Sequence, residues 1–488
     1  MAYYSRRQGS AFSQYAAQYF QNGAPPYYEH HPSLRRPLLY LDNAIDQMAA
    51  LGIWKTVFSF MQNLQSTPRF RYQGQQRLVF KDAIKEIQDI YRYERASFVQ
   101  SRLLSTGPGA DSSNLEKVHF IIGLGIIRES LRNEIVCQIV KQCIGNPSEV
   151  SVSRGWILLA LTLGCFAPSE KLVRCLVSFF REENTEHSRF CEQLLTRTLK
   201  NGPRKQPPSY MELKAANTLH MIQLPVAFMD GTVKDIEVDA QVTGKEIRSI
   251  IAKKIGLVDQ FGFSIFCAVE NNVSSIGAGG DHVMDYVSQC EQFRKESGYN
   301  ERSPDWKLYF AKELFAPWHD PAEDKVSTDL IYYQVIRGIK HGEYKCETKQ
   351  ELAEIAANEY YITHGSHLDR SLLVSLLPSY LPDKALDGVG ALEQWADLVE
   401  ESFNQIKEYY ANESENKIKE NIVISARVKW PFVFSRSFDV RQVSGPALPS
   451  RSVVFTVTWK GIHIFDNYEN PLMYLRYRDL VKIDVNGR

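Results

Sequence analysis

A loop that cradles a nucleoside triphosphate needs the order G-x-x-x-x-G-K-[ST], so that backbone N–H groups, an ammonium and a magnesium-binding hydroxyl converge. The nearest string in this chain, Val242-Thr243-Gly244-Lys245-Glu246, lacks the upstream glycine and carries a carboxylate where the hydroxyl belongs. Gly123-Leu124-Gly125 is too short a glycine signature for a dinucleotide and sits inside a helical pattern. His364-Gly365-Ser366-His367 offers two imidazoles, but no Cys or carboxylate cluster completes four ligands, so a surface loop is expected and no metal. Ile87-Gln88 with Arg92 partly matches a calmodulin-binding IQ pattern, yet Tyr93 stands where that pattern has Gly and Ser97 where it has a second basic residue. A solvated helix fits that segment better. Neither a G-x-S-x-G elbow nor an H-E-x-x-H pair occurs. These strings support no catalytic residue, no cofactor and no metal, and the expectation is a chain that is not an enzyme and cannot itself be a nucleotide-driven motor.

Charge is the chemistry that remains. The 488 residues hold 57 Lys+Arg and 57 Asp+Glu, a formal net charge of zero that conceals a gradient. Residues 1–217 carry 27 basic against 18 acidic side chains, and the rest 30 against 39. Within the basic part Arg69, Arg71 and Arg77, together with Lys200, Arg204 and Lys205, form a candidate partner-binding surface for acidic protein segments, tubulin tails or anionic lipid. The competing reading is a solvated rim with no partner. The eight Cys, at 137, 143, 165, 175, 191, 267, 290 and 346, show no CxxC spacing and several lie in apolar helical patterns, as reduced buried thiols of a cytoplasmic protein would. MAYYSRRQGS lacks the apolar core of a signal peptide, and the longest apolar run, near Gly155–Ala167, is too short to span a bilayer.

Elements that could position these residues follow from periodicity. Residues 1 to about 35 are tail-like in composition. From Leu38 the pattern is helical, and Leu131 to Ser169 holds two blocks of different character. In LRNEIVCQIVKQ the apolar stripe Leu131, Ile135, Ile139 continues one from Ile127, and Arg132, Asn133, Lys141 and Gln142 fall off it, which predicts an amphipathic helix. Trp156 to Phe166 is apolar nearly all round, which predicts a buried helix ending at Pro168. Asn114 is the expected cap of a helix starting near Leu115. Further helices are predicted at Pro168–Phe180 and Ser188–Lys200, and Pro203 with Pro207-Pro208 closes the helical region.

Near Met221 the period changes from 3.6 to 2. Ile222–Phe228, the turn Met229-Asp230-Gly231-Thr232 and Val233–Val238 read as a hairpin, followed by a helix opened by Thr243 and a strand at Phe263–Val269. Helices return at Ser327–Ile339, Thr348–Tyr361, Asp369–Tyr380 and Ala391–Tyr410. After Asn421 strands are expected: Val453–Trp459, Ile462–Phe465, Leu472–Leu475 and an apolar end at Val481–Val485.

An all-helical domain, a roll, a helical bundle and a β-rich part, in this order, resemble the tandem of a myosin tail homology 4 domain and a FERM domain in unconventional myosin tails, most like the first tandem of class VII myosins. The resemblance rests on long strings: LEKVHFIIG at 115–123, the two blocks above, NGPRKQPPS at 201–209, LPVAFMDGT at 224–232, FGFSIF at 261–266, DHVMDYVSQCEQ at 281–292, VIRGIKHGEYKC at 335–346 and ARVKWPFVFSRSF at 426–438. It implies an α+β multidomain fold: helical domain at 1–220, ubiquitin-like lobe at 221–318, helical acyl-CoA-binding-protein-like lobe at 319–434 and a PH-like β lobe at 435–488. Only about fifty residues follow Arg436, so that last lobe is expected to be incomplete, to lack the family's strand-and-helix peptide groove and to expose a sheet edge. Asn133 stands where the family has Asp, which removes any ion pair expected there.

The function implied by the resemblance is a non-catalytic cargo platform linking an actin-based motor to ankyrin- or PDZ-type adaptor scaffolds, adhesion-receptor tails or the cell cortex, in the cytoplasm and at actin-rich protrusions. The alternative is a cytoskeletal or membrane linker that binds microtubules or phosphoinositide. Neither reading involves nucleic acid or a transmembrane segment. On the surface reading, reversing Arg204 and Lys205 to Glu should weaken capture of acidic partners and leave the thermal transition almost unchanged.

Overall fold

The computed structural model describes residues 10–31, 33–62, 113–270, 272–299, 306–411, 413–445, 448, 451–466 and 470–484. The chain divides into two compact units: Met1–Leu224 with Asp235–Gly244 and Cys267–Lys307, and Pro225–Lys234 with Lys245–Phe266 and Leu308–Arg488.

Helices α1 (Ala11–Tyr19), α2 (Ala44–Phe60), α3 (Asn114–Ile127), α4 (Arg132–Cys143), α5 (Glu149–Leu163), α6 (Glu170–Glu183), α7 (Glu186–Asn201) and α8 (Tyr210–Thr218) form the core of the first unit. Its centre is α5, buried from Gly155 through Leu163 and packed by α4, α7 and α8. The expected all-round apolar helix is thus present, though it closes at Leu163, before Pro168. Gly125 explains the short glycine signature: a Cβ there would stand 2.3 Å from the Phe166 ring, so the residue serves close packing.

The amphipathic reading of α4 needs correction. Its off-stripe residues Lys141 and Gln142 are buried, as are Glu134 and Gln138, because residues 10–31 and 33–41 pack over that face instead of trailing away. Phe12, Ala16 and Phe20 join the core. Leu38 and Leu39 donate their N–H groups to the Glu134 carboxylate at 2.8 Å each, and Lys141 Nζ donates to the carbonyls of Pro25 (2.6 Å) and Tyr27 (2.7 Å). Glu134 and Lys141 of α4 are therefore internal fasteners for the N-terminal segment, their charges met by backbone donors and acceptors as burial demands. Asn133 keeps a role without a charge: its Oδ1 accepts the Ser169 N–H at 2.7 Å, at the start of α6.

The roll contains β1 (Ile222–Phe228), β2 (Val233–Val238), α9 (Gly244–Ile255), β3 (Phe263–Val269), β4 (Asn272–Gly277), α10 (Val283–Glu296) and β5 (Trp306–Lys312), with sheet order β2-β1-β5-β3-β4. β1 and β5 pair in parallel, Val226 opposite Leu308. The Asp-Gly hairpin forms as expected: Gly231 adopts φ 84°, and Asp230 Oδ1 accepts the Thr232 N–H at 2.9 Å. Gly244 of the near-miss phosphate string starts α9, where a Cβ would meet the Gly277 carbonyl oxygen at 2.6 Å.

The second unit continues with α11 (Lys325–Lys340), α12 (Lys349–His364), α13 (Arg370–Tyr380), α14 (Ala391–Tyr409) and α15 (Glu415–Lys429). α12 packs on α14 and α11 on α15. The strands expected at Val453–Trp459, Ile462–Phe465 and Leu472–Leu475 are present, and α15 fills the stretch after Asn421, up to Lys429, before the first strand of that sheet. Strands β6 (Arg436–Arg441), β7 (Ser452–Val457), β8 (Gly461–Phe465) and β9 (Pro471–Arg476) follow as an antiparallel sheet in the order β6-β7-β8-β9. Arg436 stands opposite Val457, and Ile462 opposite Leu475. Val481–Asp484 has no regular structure.

Candidate partner-binding surfaces

The segment Gly202–Ser209, between α7 and α8, is where sequence reasoning placed its most promising cations. Arg204 is not on the surface. Its side chain is fully enclosed: Nε donates to Asp285 Oδ1 at 2.6 Å, Nη1 to Glu212 Oε1 at 2.7 Å and to the Ala240 carbonyl at 3.0 Å, and its backbone N–H to the Cys165 carbonyl at 2.7 Å. Burial alone would lower its pKa, but Glu212 and Asp285 outweigh that and hold the guanidinium charged well above its usual range. Glu212 is itself fixed by a capping box: Ser209 N–H donates to its carboxylate at 2.7 Å, and Ser209 Oγ accepts the Glu212 N–H at 3.2 Å.

Helix α10 supplies the rest of the clasp. Asp285 accepts the Lys205 and Gln206 N–H groups at 3.0 Å each, and Ser288 Oγ donates to the Pro207 carbonyl at 2.6 Å. Glu291 accepts the Tyr210 N–H at 2.6 Å, and Lys295 pairs with Glu116 at 2.8 Å. On the loop between β2 and α9, Asp239 pairs with Arg197 of α7 at 2.6 Å, and Gln241 Nε2 donates to the Gly164 carbonyl at 2.6 Å. The prolines at 203, 207 and 208 each fix φ at about −65°, which narrows the backbone conformations open to the segment that carries these donors and acceptors.

In the second unit two aromatic side chains, Phe261 and Trp318, stand exposed with Val258 around a tightly held backbone. Asp259 Oδ2 lies 3.3 Å from Lys312 Nζ and 3.1 Å from His319 Nδ1. Burial pushes the Lys312 ammonium down to about 8 despite Asp259, while the Asp259 carboxyl, against its own partial burial, is drawn down to about 2 by His319 and Lys312. Asp324 accepts the N–H groups of Val258 and Asp259 at 2.7 Å each. Arg427 of α15 donates to the carbonyls of Pro317 (2.5 Å) and His319 (3.2 Å) and stacks on Trp459 at 4.1 Å. Gly262, at φ 67°, permits the loop: a Cβ would sit 1.7 Å from the Leu314 oxygen. On this fixed backbone Val258 is 80%, Trp318 76% and Phe261 43% exposed, with the Phe261 and Trp318 rings 6.1 Å apart. Large apolar side chains held in water on rigid backbone are the material of protein-binding hot spots.

Among the described residues there is no group of three His, Cys, Asp or Glu side chains placed to hold a metal, and His364 ends α12 with its ring 4.9 Å from Tyr360. No described helix is long and apolar enough to cross a membrane.

Residues 118–215 match the MyTH4 domain family, 220–314 the RA-like domain and 434–488 the family described as Myosin-X FERM PH domain-like. This chain is a MyTH4–FERM tandem. It is 40% identical to Myosin-VIIa of Drosophila melanogaster over 527 residues, covering 97% of this chain and 24% of that protein. It is 39% identical to Unconventional myosin-VIIb of Mus musculus over 490 residues, covering 97% and 23%. The tandem thus spans about a quarter of the curated relatives it matches, and it is a tail module without the motor head. Among solved structures it superposes on the MyTH4-FERM MF1 domain of Dictyostelium discoideum Myosin VII with a TM-score of 0.67 at 19% identity, covering 98% of this chain and 90% of that one. It superposes on the C-terminal MyTH4-FERM domain of human Myosin 7b, solved in complex with the harmonin-a PDZ3 domain, with 0.66 at 21%, covering 96% and 89%.

Within the MyTH4–FERM tandem the six cations named from sequence separate. Arg69, Arg71 and Arg77 lie outside the described residues. Lys200 is exposed near the end of α7, and Lys205 is 79% exposed with its ammonium 3.3 Å from Asp281. Arg204 leaves the set because two carboxylates and a carbonyl enclose it. The signal that could have found this was the Ser209-x-x-Glu212 capping pattern immediately after an arginine bracketed by prolines. Trp318, Phe261 and Val258 went unnoticed because an exposed apolar residue reads as core in a sequence.

Proposed function

We propose that this MyTH4–FERM tandem is a non-catalytic cargo and adaptor platform that links an actin-based motor to protein partners at the cytoplasmic cortex or in actin-rich protrusions. The observation that carries the reading is the match over 97% of this chain to the tails of class VII myosins. The domain limits suggested by sequence, 1–220, 221–318, 319–434 and 435–488, belong to the same proposal, as does the likeness to the first of the class VII tandems. PDZ-type scaffolds are the first partner class to test, because the human Myosin 7b relative was solved with one. Ankyrin-type scaffolds and adhesion-receptor tails follow. Titration calorimetry of the purified chain against such scaffold domains should give saturable one-to-one binding with negative heat-capacity change, the mark of apolar burial. Absence of binding to every scaffold domain, together with salt-sensitive co-sedimentation on microtubules or phosphoinositide vesicles, would favour the linker reading instead. That alternative is weakened by the enclosure of Arg204.

A further inference from the structure

Cys267 of β3 and Cys290 of α10 stand 23 positions apart in sequence with their sulfurs 3.2 Å apart. Both are buried, Cys267 at 2% and Cys290 at 8% exposure. A disulfide places its sulfurs about 2.05 Å apart, so closure asks for movement of about an ångström and no unfolding of either element. We propose that Cys267 and Cys290 are an oxidisable pair, a modification site at which a peroxide converts two thiols into a disulfide that pins α10 to β3.

The two thiols are unequal in a way that suits the chemistry. The hydrogen bond between the two sulfurs, in which either thiol can donate, holds the Cys290 thiol below its ordinary range against the effect of burial and, together with burial, pushes Cys267 up. Cys290 is also the more exposed of the two. Its thiolate attacks one peroxide oxygen; the O–O bond breaks, an S–O bond forms and hydroxide leaves, giving a sulfenic acid. The Cys267 sulfur then attacks the Cys290 sulfur. The S–S bond forms, the S–O bond breaks, and the departing hydroxide takes the Cys267 proton as water. Two thiols lose two electrons in total and one hydrogen peroxide is reduced to two waters. The other buried cysteines of the helical core, Cys137, Cys143, Cys165, Cys175 and Cys191, are pushed up by desolvation and are poor nucleophiles.

The consequence concerns the clasp. α10 carries Asp285, which holds Arg204, and Ser288, which holds Pro207. A covalent tie from α10 to β3 fixes the helix that grips the Gly202–Ser209 segment, and thiol reductant releases it.

The test treats the whole chain with hydrogen peroxide, quenches it, unfolds it under non-reducing conditions in an alkylating agent and maps the peptides. The expected product is one cross-linked peptide pair joining Cys267 to Cys290, two hydrogens lighter than the reduced pair. It should be dissolved by dithiothreitol and accompanied by a rise of a few degrees in thermal midpoint. Cys346, half-exposed and without this partner, reports peroxide exposure in the same sample. Recovery of Cys267 and Cys290 as separately alkylated or separately over-oxidised peptides, while Cys346 is oxidised, overturns the proposal. Because the wild-type map decides, Cys290→Ser serves only to show that the midpoint shift disappears with the pair.

Discussion

Removing the Arg204 guanidinium would leave Glu212 and Asp285 facing each other where water does not reach. Breaking a buried ion pair from one side costs about 3–5 kcal/mol, because the stranded carboxylates lose their counter-charge after desolvation is complete. Arg204→Ala should therefore lower the urea midpoint strongly. Arg204→Lys should rescue little, since one ammonium cannot reach Asp285, Glu212 and the Ala240 carbonyl as the guanidinium fork does. Lys205→Glu gives the contrast: its ammonium is solvated, its contact with Asp281 is a surface pair, and the change should stay within about 0.5 kcal/mol. Reversal of both residues will therefore unfold the first unit through position 204, contrary to the expectation from sequence that it would spare the fold. Position 204 shows why charge read from sequence misleads. An arginine between prolines looks solvated until the capping glutamate of α8 and the aspartate of α10 arrive from 8 and 81 residues away.

At the scale of elements, caps and buried carboxylates decide which helices hold. The start of α3 belongs to Ser113, whose side chain accepts the Glu116 N–H at 3.2 Å while Glu116 accepts the Ser113 N–H at 2.8 Å. Ser113→Ala should cost about 1 kcal/mol in equilibrium unfolding, and Asn114→Ala much less. In the helical lobe Glu359 of α12 keeps its Oε2 without a hydrogen-bond partner among the described residues, and burial raises its carboxyl to about 8. An acid whose folded pKa lies above its unfolded value of about 4.5 binds more protons when folded, so stability falls as pH rises from about 4.5 toward 8. The full loss is on the order of 5 kcal/mol at most. Glu359→Gln should consequently raise the thermal midpoint at pH 8.5 and change it little at pH 4.5; an equal shift at both values would refute the assignment. Much of this layer was legible in sequence: α5, α11 to α14, the Asp-Gly hairpin and strands β7 to β9 follow from period and turn chemistry. The rest depended on partners. The β-branched run Ile422-Val423-Ile424 looks like a strand, yet Ile418, Ile422 and Ala426 recur at four-residue steps and are buried, with α11 packed on α15. Asn114 and Ser113 are both cap residues, and the tie is broken only by the Glu116 carboxylate reaching back. The tail-like composition up to about residue 35 conceals an ordered stretch, because its sparse apolar side chains Phe12, Ala16 and Phe20 find a core only in the folded helices while Lys141 of α4 holds the Pro25 and Tyr27 carbonyls.

For the whole molecule, zero net charge with a basic excess in residues 1–217 and an acidic excess in the remainder makes two binding modes separable by salt. A partner drawn to the cations Lys200 and Lys205 would lose affinity steeply between 0.1 and 0.5 M salt, since the Debye length shrinks from about 10 Å to under 5 Å. A partner seated on Trp318, Phe261 and Val258 would lose little, because apolar burial is insensitive to screening. The second unit presents that aromatic surface on backbone already held by Arg427, Asp259 and Asp324, so little ordering entropy opposes binding there. Truncating a tryptophan at the centre of an interface commonly costs about 2 kcal/mol or more, roughly thirtyfold in Kd. Trp318→Ala should therefore weaken adaptor binding at least tenfold at both salt concentrations while leaving the unfolding midpoint within a degree or two, since the indole is mostly in water already. The double variant Lys200→Glu with Lys205→Glu should change the affinity less than threefold at 0.5 M salt. If the charge variant abolishes binding and Trp318→Ala does not, the platform works through its basic end and the aromatic surface serves some other contact.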